Sequence, residues 1–327
     1  MKKLTLSLFA LILMLALAAC GNTKEEGKPA DNAASEDKPA AEESAEKTDN
    51  TEITIKHELG ETTLEKNPEK VVVFDFGVLD TLDELGIEVA GLPQVNIPGY
   101  LSKYEDEKYE NLGSLKEPDF EAINAMKPDV IFISGRQSDS YEELSKIAPT
   151  IFMGVDTARY MDSFKENMEK IATIFDKEDE MNTELADVDA SIEEIKAKTA
   201  ESDSKALMIL ATEGKISAYG PSSRFGIIHD VFGFEPADEK IEASTHGQNI
   251  TFEYILDTNP DILFIIDRDA SIGNGASAKD SVENDLVKKT NAFKNDKMIY
   301  LNGEYWYLSG GGLQSVKEMI KEVEVAL

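Results

Sequence analysis

Four arginines stand in a chain whose cations are otherwise lysine: Arg136, Arg159, Arg224 and Arg268. A guanidinium stays charged and presents a planar fork that matches oxygen anions, so arginine suits a partly buried anion site. Two of the four share a local setting. The stretch FEAINAMKPDVIFISGR (120–136) is answered by FEYILDTNPDILFIIDR (252–268) at a constant offset, which pairs Asp119 with Thr251, Glu121 with Glu253, Pro128 with Pro260 and Arg136 with Arg268. Arg224 follows a serine-rich turn, Gly220-Pro221-Ser222-Ser223. Taken singly, each arginine could equally pair with a nearby acid such as Asp139 or Asp267; the repetition favours a role toward a ligand.

Other chemistry is sparse. The histidines are His57, His229 and His246, and a metal site built from protein alone wants several His or Cys ligands. His229 falls on a helical stretch and reads as structural. His246, in the loop Thr245-His246-Gly247, is the better ligand candidate. Gly310, Gly311 and Gly312 precede a helix, but no Lys-Ser or Lys-Thr follows, so they read as a turn rather than a phosphate cradle. No nucleophile–base pair and no paired carboxylates at strand ends are present, so an enzyme is not expected. Glu121 and Glu253 fit the first turn of a helix, where the macrodipole favours an anion. Their identical placement in two halves also offers matched carboxylates to a symmetric partner.

The elements that position these residues follow from the repeat. Asp119 and Thr251 are good N-cap types, and the proline ahead of each apolar run stops the helix. Residues 130–133 and 262–266 are short continuous apolar runs, the pattern of strands buried on both faces of a parallel sheet. Each arginine then falls just past the carboxyl end of its strand, where open α/β sheets bind ligands. Further strands are expected at 51–56, 71–74, 89–92, 150–153, 206–210, 215–219 and 298–301, with helices at 79–85, 141–147, 161–175, 225–232 and 313–327 and a loop at 304–312. A helix at 177–199 carries one apolar stripe, Met181, Leu185, Val188, Ile192 and Ile195, on an otherwise charged surface. At 1.5 Å per residue it spans roughly 30 Å, enough to bridge two lobes; an antiparallel coiled-coil arm is the alternative. The chain thus reads as α/β, with an N-terminal lobe at 51–176, a bridging helix at 177–201 and a C-terminal lobe at 202–327.

Of 327 residues, 64 are Asp or Glu and 33 are Lys or Arg, a net charge of -31. That excess leaves no basic stripe for phosphates and argues against nucleic acid. The one cysteine, Cys20, excludes an intramolecular disulfide. Lys2 and Lys3, an apolar run over 4–18 and the string Leu17-Ala18-Ala19-Cys20 fit a lipoprotein signal peptide at 1–19, with Cys20 as the acylated N-terminus. An ordinary secretory signal or an uncleaved anchor is the alternative. Residues 20–50, rich in Ala, Glu, Asp, Lys and Ser, read as a disordered tether. No later stretch is long and apolar enough to span a bilayer.

The lipobox, the two α/β lobes, the bridging helix and the repeated Glu…Pro-Asp pattern resemble the substrate-binding proteins of ABC importers for iron siderophores and vitamin B12, over 51–327. The strings VVVFDFGVLDTLDELG (71–86), SLKEPDFE (114–121), SRFGIIHDVFG (223–233), ASTHGQ (243–248) and YWYLSGGG (305–312) are more closely similar to the petrobactin-binding lipoproteins of that class. The resemblance implies two Rossmann-like lobes joined by a single long helix and a ferric catecholate siderophore in the cleft, with no other cofactor. It assigns Arg136, Arg224 and Arg268 to the pocket. His246 and Tyr307, or Tyr305 in its place, would fill free iron positions when the chelate is tetradentate; a hexadentate chelate needs no protein ligand. Glu121 and Glu253 would dock on an ABC permease, which works with an ATPase, and the receptor would be a lipid-anchored, extracytoplasmic monomer. Some relatives carry a lysine just past the first pocket arginine, where Gln137-Ser138-Asp139 stand here. A haem or vitamin B12 receptor of the same fold is the runner-up; a zinc or manganese receptor would want more histidine.

Overall fold

Two sheets carry the repeated motif at equivalent places. The computed structural model describes residues 51–212, 214–273 and 277–327; the expected signal peptide, Cys20 and the tether lie outside them. The described chain opens with an antiparallel hairpin, β1 (Glu52–His57) on β2 (Gly60–Glu65). The second of these strands is not expected from the sequence. Its residues GETTLE bury only Thr62 and Leu64, so the alternation is there but half of it is written in threonine.

The first sheet follows: β3 (Val71–Val73), α1 (Phe76–Glu84), β4 (Gly91–Leu92), β5 (Glu110–Asn111), α2 (Phe120–Met126), β6 (Val130–Ile133), α3 (Tyr141–Leu144), β7 (Thr150–Phe152) and α4 (Tyr160–Phe175). All its pairings are parallel, in the order β5-β4-β3-β6-β7. Helix α5 (Glu178–Thr199) comes next in the chain. Then come β8 (Lys205–Thr212), β9 (Lys215–Tyr219), α6 (Ile227–Asp230), β10 (Glu235–Pro236), β11 (Gln248–Ile250), α7 (Phe252–Thr258), β12 (Ile262–Asp267), α8 (Arg268–Ser271), α9 (Lys279–Val282), α10 (Asn291–Lys294), β13 (Met298–Leu301) and α11 (Leu313–Glu324). The second sheet runs β11-β9-β8-β12-β13, with β10 beside the start of β8. It is mixed: β8, β12 and β13 are parallel, while β9 is antiparallel to β8 and to β11.

The repeat therefore maps α2–β6 onto α7–β12, each strand fourth in its sheet order. Both helices are capped as their sequences predict. Asp119 accepts from the Ala122 N–H at 3.0 Å, and Thr251 from the Tyr254 N–H at 3.3 Å. Both end on a left-handed residue, Lys127 or Asn259, just ahead of the proline. In each sheet the chain changes direction of growth beside this strand, between β3 and β6 and between β8 and β12. Such switch points leave a crevice at the strands' carboxyl ends.

Strand residues face two ways, as expected of buried strands. Val71, Val73 and Phe132 join one large cluster that also takes Met208, Leu210, Phe264 and Ile266 from the second sheet. Val72, Ile131 and Ile133 face a smaller cluster under α2 and α3. Helix α5 buries the stripe read from its sequence, Met181, Leu185, Val188, Ile192 and Ile195, against α4 and α11. Its first turn is acidic and its last holds Lys196 and Lys198, which suits the macrodipole.

A second contact ties the two ends of the fold. The fully buried Asp80 of α1 accepts from the Ser315 N–H at 2.9 Å and the Tyr100 hydroxyl at 3.1 Å. Thr81 Oγ1 accepts the Leu313 N–H at 2.9 Å. The approach of α1 to α11 is close enough that a Cβ built on Gly312 would lie 2.1 Å from Asp80 Oδ1 and 2.4 Å from the Gly77 carbonyl.

Candidate ligand-binding site

Arg136 and Arg268 leave their strands as the sequence implies. Arg136 lies in a tight helical turn, Gly135–Ser140, directly after β6, and Arg268 is the first residue of α8, directly after β12. The neighbouring acid Asp267 is not its partner. It caps α8 through the Ala270 N–H at 3.1 Å and also accepts the Ala278 N–H. Gln137 is likewise turned inward: it is buried and joins the Ser134 N–H, at 3.1 Å, to the Leu115 carbonyl. Arg224 leaves the serine turn. There Ser223 Oγ donates to the Gly220 carbonyl at 2.5 Å, and the left-handed Ser222 donates its N–H to Asp230 at 2.6 Å.

All three side chains meet at one residue. Arg136 Nη2 and Arg224 Nη2 donate to the same acceptor, the Tyr307 carbonyl, at 3.0 and 2.8 Å. Arg268 Nε donates to the Tyr307 phenol oxygen at 3.0 Å. The Arg224 guanidinium lies 4.4 Å from the centre of the Tyr307 ring and 5.1 Å from that of Phe225; Arg268 lies 5.7 Å from the Tyr307 ring. Arg268 Nη1 also meets Asp269 at 3.1 Å. Among the described residues neither Arg136 nor Arg224 has a carboxylate within ion-pair distance; the arginine ion pairs are those of Arg159 and Arg268.

Sequence reasoning missed why one carbonyl can serve two arginines. Residues Glu304–Leu308, expected as loop, form a single wide turn of π-helix, closed by the Ser309 N–H on the Glu304 carbonyl at 3.0 Å. The Gly312 N–H bonds the Ser309 carbonyl instead of reaching back to Tyr307. Tyr307's carbonyl is thus left for side-chain donors, as carbonyls at helix ends are. Such single π-turns mark functional sites more often than chance allows. The glycines 310–312 serve as the turn that releases the chain into α11.

The electrostatics fit an anion. Burial, then the charge of Arg136, lower the Arg224 pKa, so the pocket holds cations at a cost. Burial alone would raise the Tyr307 phenol, but the Arg268 hydrogen bond and the charges of Arg224, Arg268 and Arg136 outweigh it and bring the pKa below the usual tyrosine value. The bond to Tyr307 raises Arg268.

Tyr305 takes a different path from Tyr307: it packs on Tyr100, ring centres 4.7 Å apart. Trp306 is 2 % exposed, its Nε1 donating to Glu322 at 2.8 Å. His246 is exposed in its loop, its N–H on Ser244 Oγ at 3.2 Å. The next residue, Gly247, is left-handed and abuts Tyr219, whose ring stands edge-on to Phe225 at 4.7 Å. The loop is therefore neighbour to the aromatic wall behind Arg224. Glu121 and Glu253 are exposed on α2 and α7. Arg159 is placed elsewhere, beside a cavity of about 680 Å³ between β1 and α4, where it pairs with Asp156 and Glu166.

Comparison with known proteins places the chain in a family. A family model described as periplasmic binding protein matches residues 71–305. The petrobactin-binding protein YclQ of Bacillus subtilis is 54 % identical over 332 aligned residues, covering 100 % of this chain and 99 % of its own. Its crystal structure superposes with a TM-score of 0.83 at 57 % identity, over 84 % of this chain and 98 % of that one. The periplasmic catecholate-siderophore binding protein VctP of Vibrio cholerae gives a TM-score of 0.81 at 37 % identity, over 84 % and 100 %.

Proposed function

The chain belongs to the periplasmic binding protein family, and from that premise we propose that it is the receptor of an ABC iron importer and takes a ferric catecholate siderophore of the petrobactin type. One lobe spans 51–176 and the other 202–327, with 177–201 as the helix between them. The chelate lies between the lobes against Arg136, Arg224 and Arg268. Tyr307 and His246 stand ready to complete iron coordination when the siderophore leaves positions open. Cys20 carries the lipid anchor on the outer face of the membrane, and Glu121 and Glu253 meet the permease.

One observation carries this reading. Two half-buried guanidiniums, from opposite sheets, share a single neutral carbonyl without a carboxylate partner among the described residues. A protein stabilising only itself would neutralise such charges, since an uncompensated buried cation is unfavourable. A chelate of catecholates, or of catecholates and citrate, brings the missing negative charge. Iron(III) is the cargo, and a phenol whose pKa is already lowered is a fitting oxygen donor for so hard a cation.

Native mass spectrometry against a panel of ferric petrobactin, other ferric catecholates, haem and cobalamin tests the proposal. The expected result is a one-to-one complex with ferric petrobactin at micromolar protein. A complex only with haem or cobalamin, or none at all, would overturn it.

A further inference from the structure

The π-turn that presents the Tyr307 carbonyl is held at its ends by Glu304, which accepts the Gly99 N–H at 2.9 Å, and by the buried Leu308; between them its hold on the fold comes through its aromatics. Trp306, directly before Tyr307, is buried and points away from the arginines. Its indole N–H ends on Glu322 Oε2 at 2.8 Å. The same oxygen accepts the N–H of Asn302, two residues ahead of the turn, at 3.0 Å. One carboxylate oxygen on α11 therefore pins the chain just ahead of the turn and at the middle one of its three aromatics. Asn302 in turn accepts the Tyr305 and Trp306 N–H groups at 3.1 and 3.2 Å, so the pinned residue is itself the anchor of the turn's backbone.

We propose that Glu322 is a positioning residue of the ligand site: through Trp306 and Asn302 it sets the turn so that the Tyr307 carbonyl stands between Arg136 and Arg224. Glu322 touches neither arginine and acts only through the turn. The inference rests on the ligand reading above, but its first test needs no ligand. Burial raises the Glu322 pKa, and Glu318 one turn earlier adds to that, while the Asn302 and Trp306 hydrogen bonds oppose it. Of the other titratable groups nearby, Tyr305 on the turn feels the charge of Glu322, and Lys321 is taken up by Glu318.

Trp306 is the only tryptophan in the chain, so intrinsic emission reports on this contact directly. In the unliganded protein the emission should titrate with an apparent pKa above that of an ordinary glutamate. Glu322→Met should abolish that titration and shift the emission, and it should weaken ferric petrobactin about tenfold, the effect of losing a buried hydrogen bond to a charged group. Glu322→Gln, which keeps an oxygen in place, should restore affinity to within about threefold while still lacking the emission titration. Should Glu322→Met fold poorly by circular dichroism, Trp306→Phe removes one of the carboxylate's two bonds and should give a smaller loss in the same direction by calorimetry. A wild-type emission that ignores pH, or a Glu322→Met or Trp306→Phe protein that binds like wild type, would overturn the inference. A wild-type protein that titrates normally yet ignores the ferric chelate would overturn the ligand reading and leave the turn's anchor standing.

Discussion

Replacing Arg224 by methionine separates a guanidinium kept for a ligand from one kept for the fold. The side chain donates to the Tyr307 carbonyl at 2.8 Å and covers two rings, at 4.4 and 5.1 Å. Losing the bond and the ring contacts costs on the order of 1 kcal/mol each. Against that, its burial and the nearby charge of Arg136 are relieved. The two sides nearly cancel, and folding stability should change by no more than about 1 kcal/mol. Toward an anion the sum is different. A unit charge about 5 Å away, at an effective dielectric near 20, interacts by about 3 kcal/mol, and side-chain desolvation and residual water leave about half. The dissociation constant of ferric petrobactin should rise about 10- to 30-fold. Calorimetric titration at constant ionic strength measures the first quantity and urea denaturation the second. An affinity within threefold of wild type, or a stability loss above about 3 kcal/mol, would refute the argument that this charge is held for a ligand.

Three further outcomes are expected. Gly247 holds a φ of +73°, and a Cβ there would lie 2.7 Å from the Tyr219 ring, so Gly247→Ala should destabilise the protein by about 1–3 kcal/mol in urea titration. Tyr307 should ionise below the ordinary tyrosine value, and the early part of the near-ultraviolet phenolate titration should vanish in Tyr307→Phe. Burial raises the Asp80 carboxyl from 3.8 to about 7 in the fold. Between those pH values the folded state keeps a proton the unfolded chain has lost, so this contribution is complete at the acidic end and fades as pH rises through 7. Urea midpoints from pH 4 to 8 should show that decline in wild type and not in Asp80→Asn.

The parts of the fold visible in the sequence are those that side-chain pattern dictates. The strands at 130–133 and 262–266 could be found because burial on both faces makes them continuously apolar. The helix at 178–199 could be found because its buried residues repeat at helical spacing. The strand at 60–65 could not, since its inward threonine looks polar and its partner is set by a two-residue turn. Residues 215–219 read as a strand, but nothing local says that they return antiparallel to β8. At the site, arginine is rare enough to be noticed, and duplication marked two of the three. The carbonyl that gathers them carries no side-chain signature. Its only trace is an aromatic run, Tyr305-Trp306-Tyr307, in which alternate rings go to Tyr100, to Glu322 and to the arginines. The same geometry makes Trp306 a reporter from behind the site rather than a wall of it.

The glycines where α1 meets α11 bear on selectivity. With the Gly77 carbonyl and Asp80 standing where a Gly312 side chain would begin, any larger residue there would have to part α1 from α11. A receptor whose two ends stay joined there should keep one cleft shape rather than mould itself around whatever enters. It must discriminate by rejecting misfits, so chelates of equal charge but opposite handedness at iron should be told apart by shape, and a racemic mixture should leave one mirror form in solution.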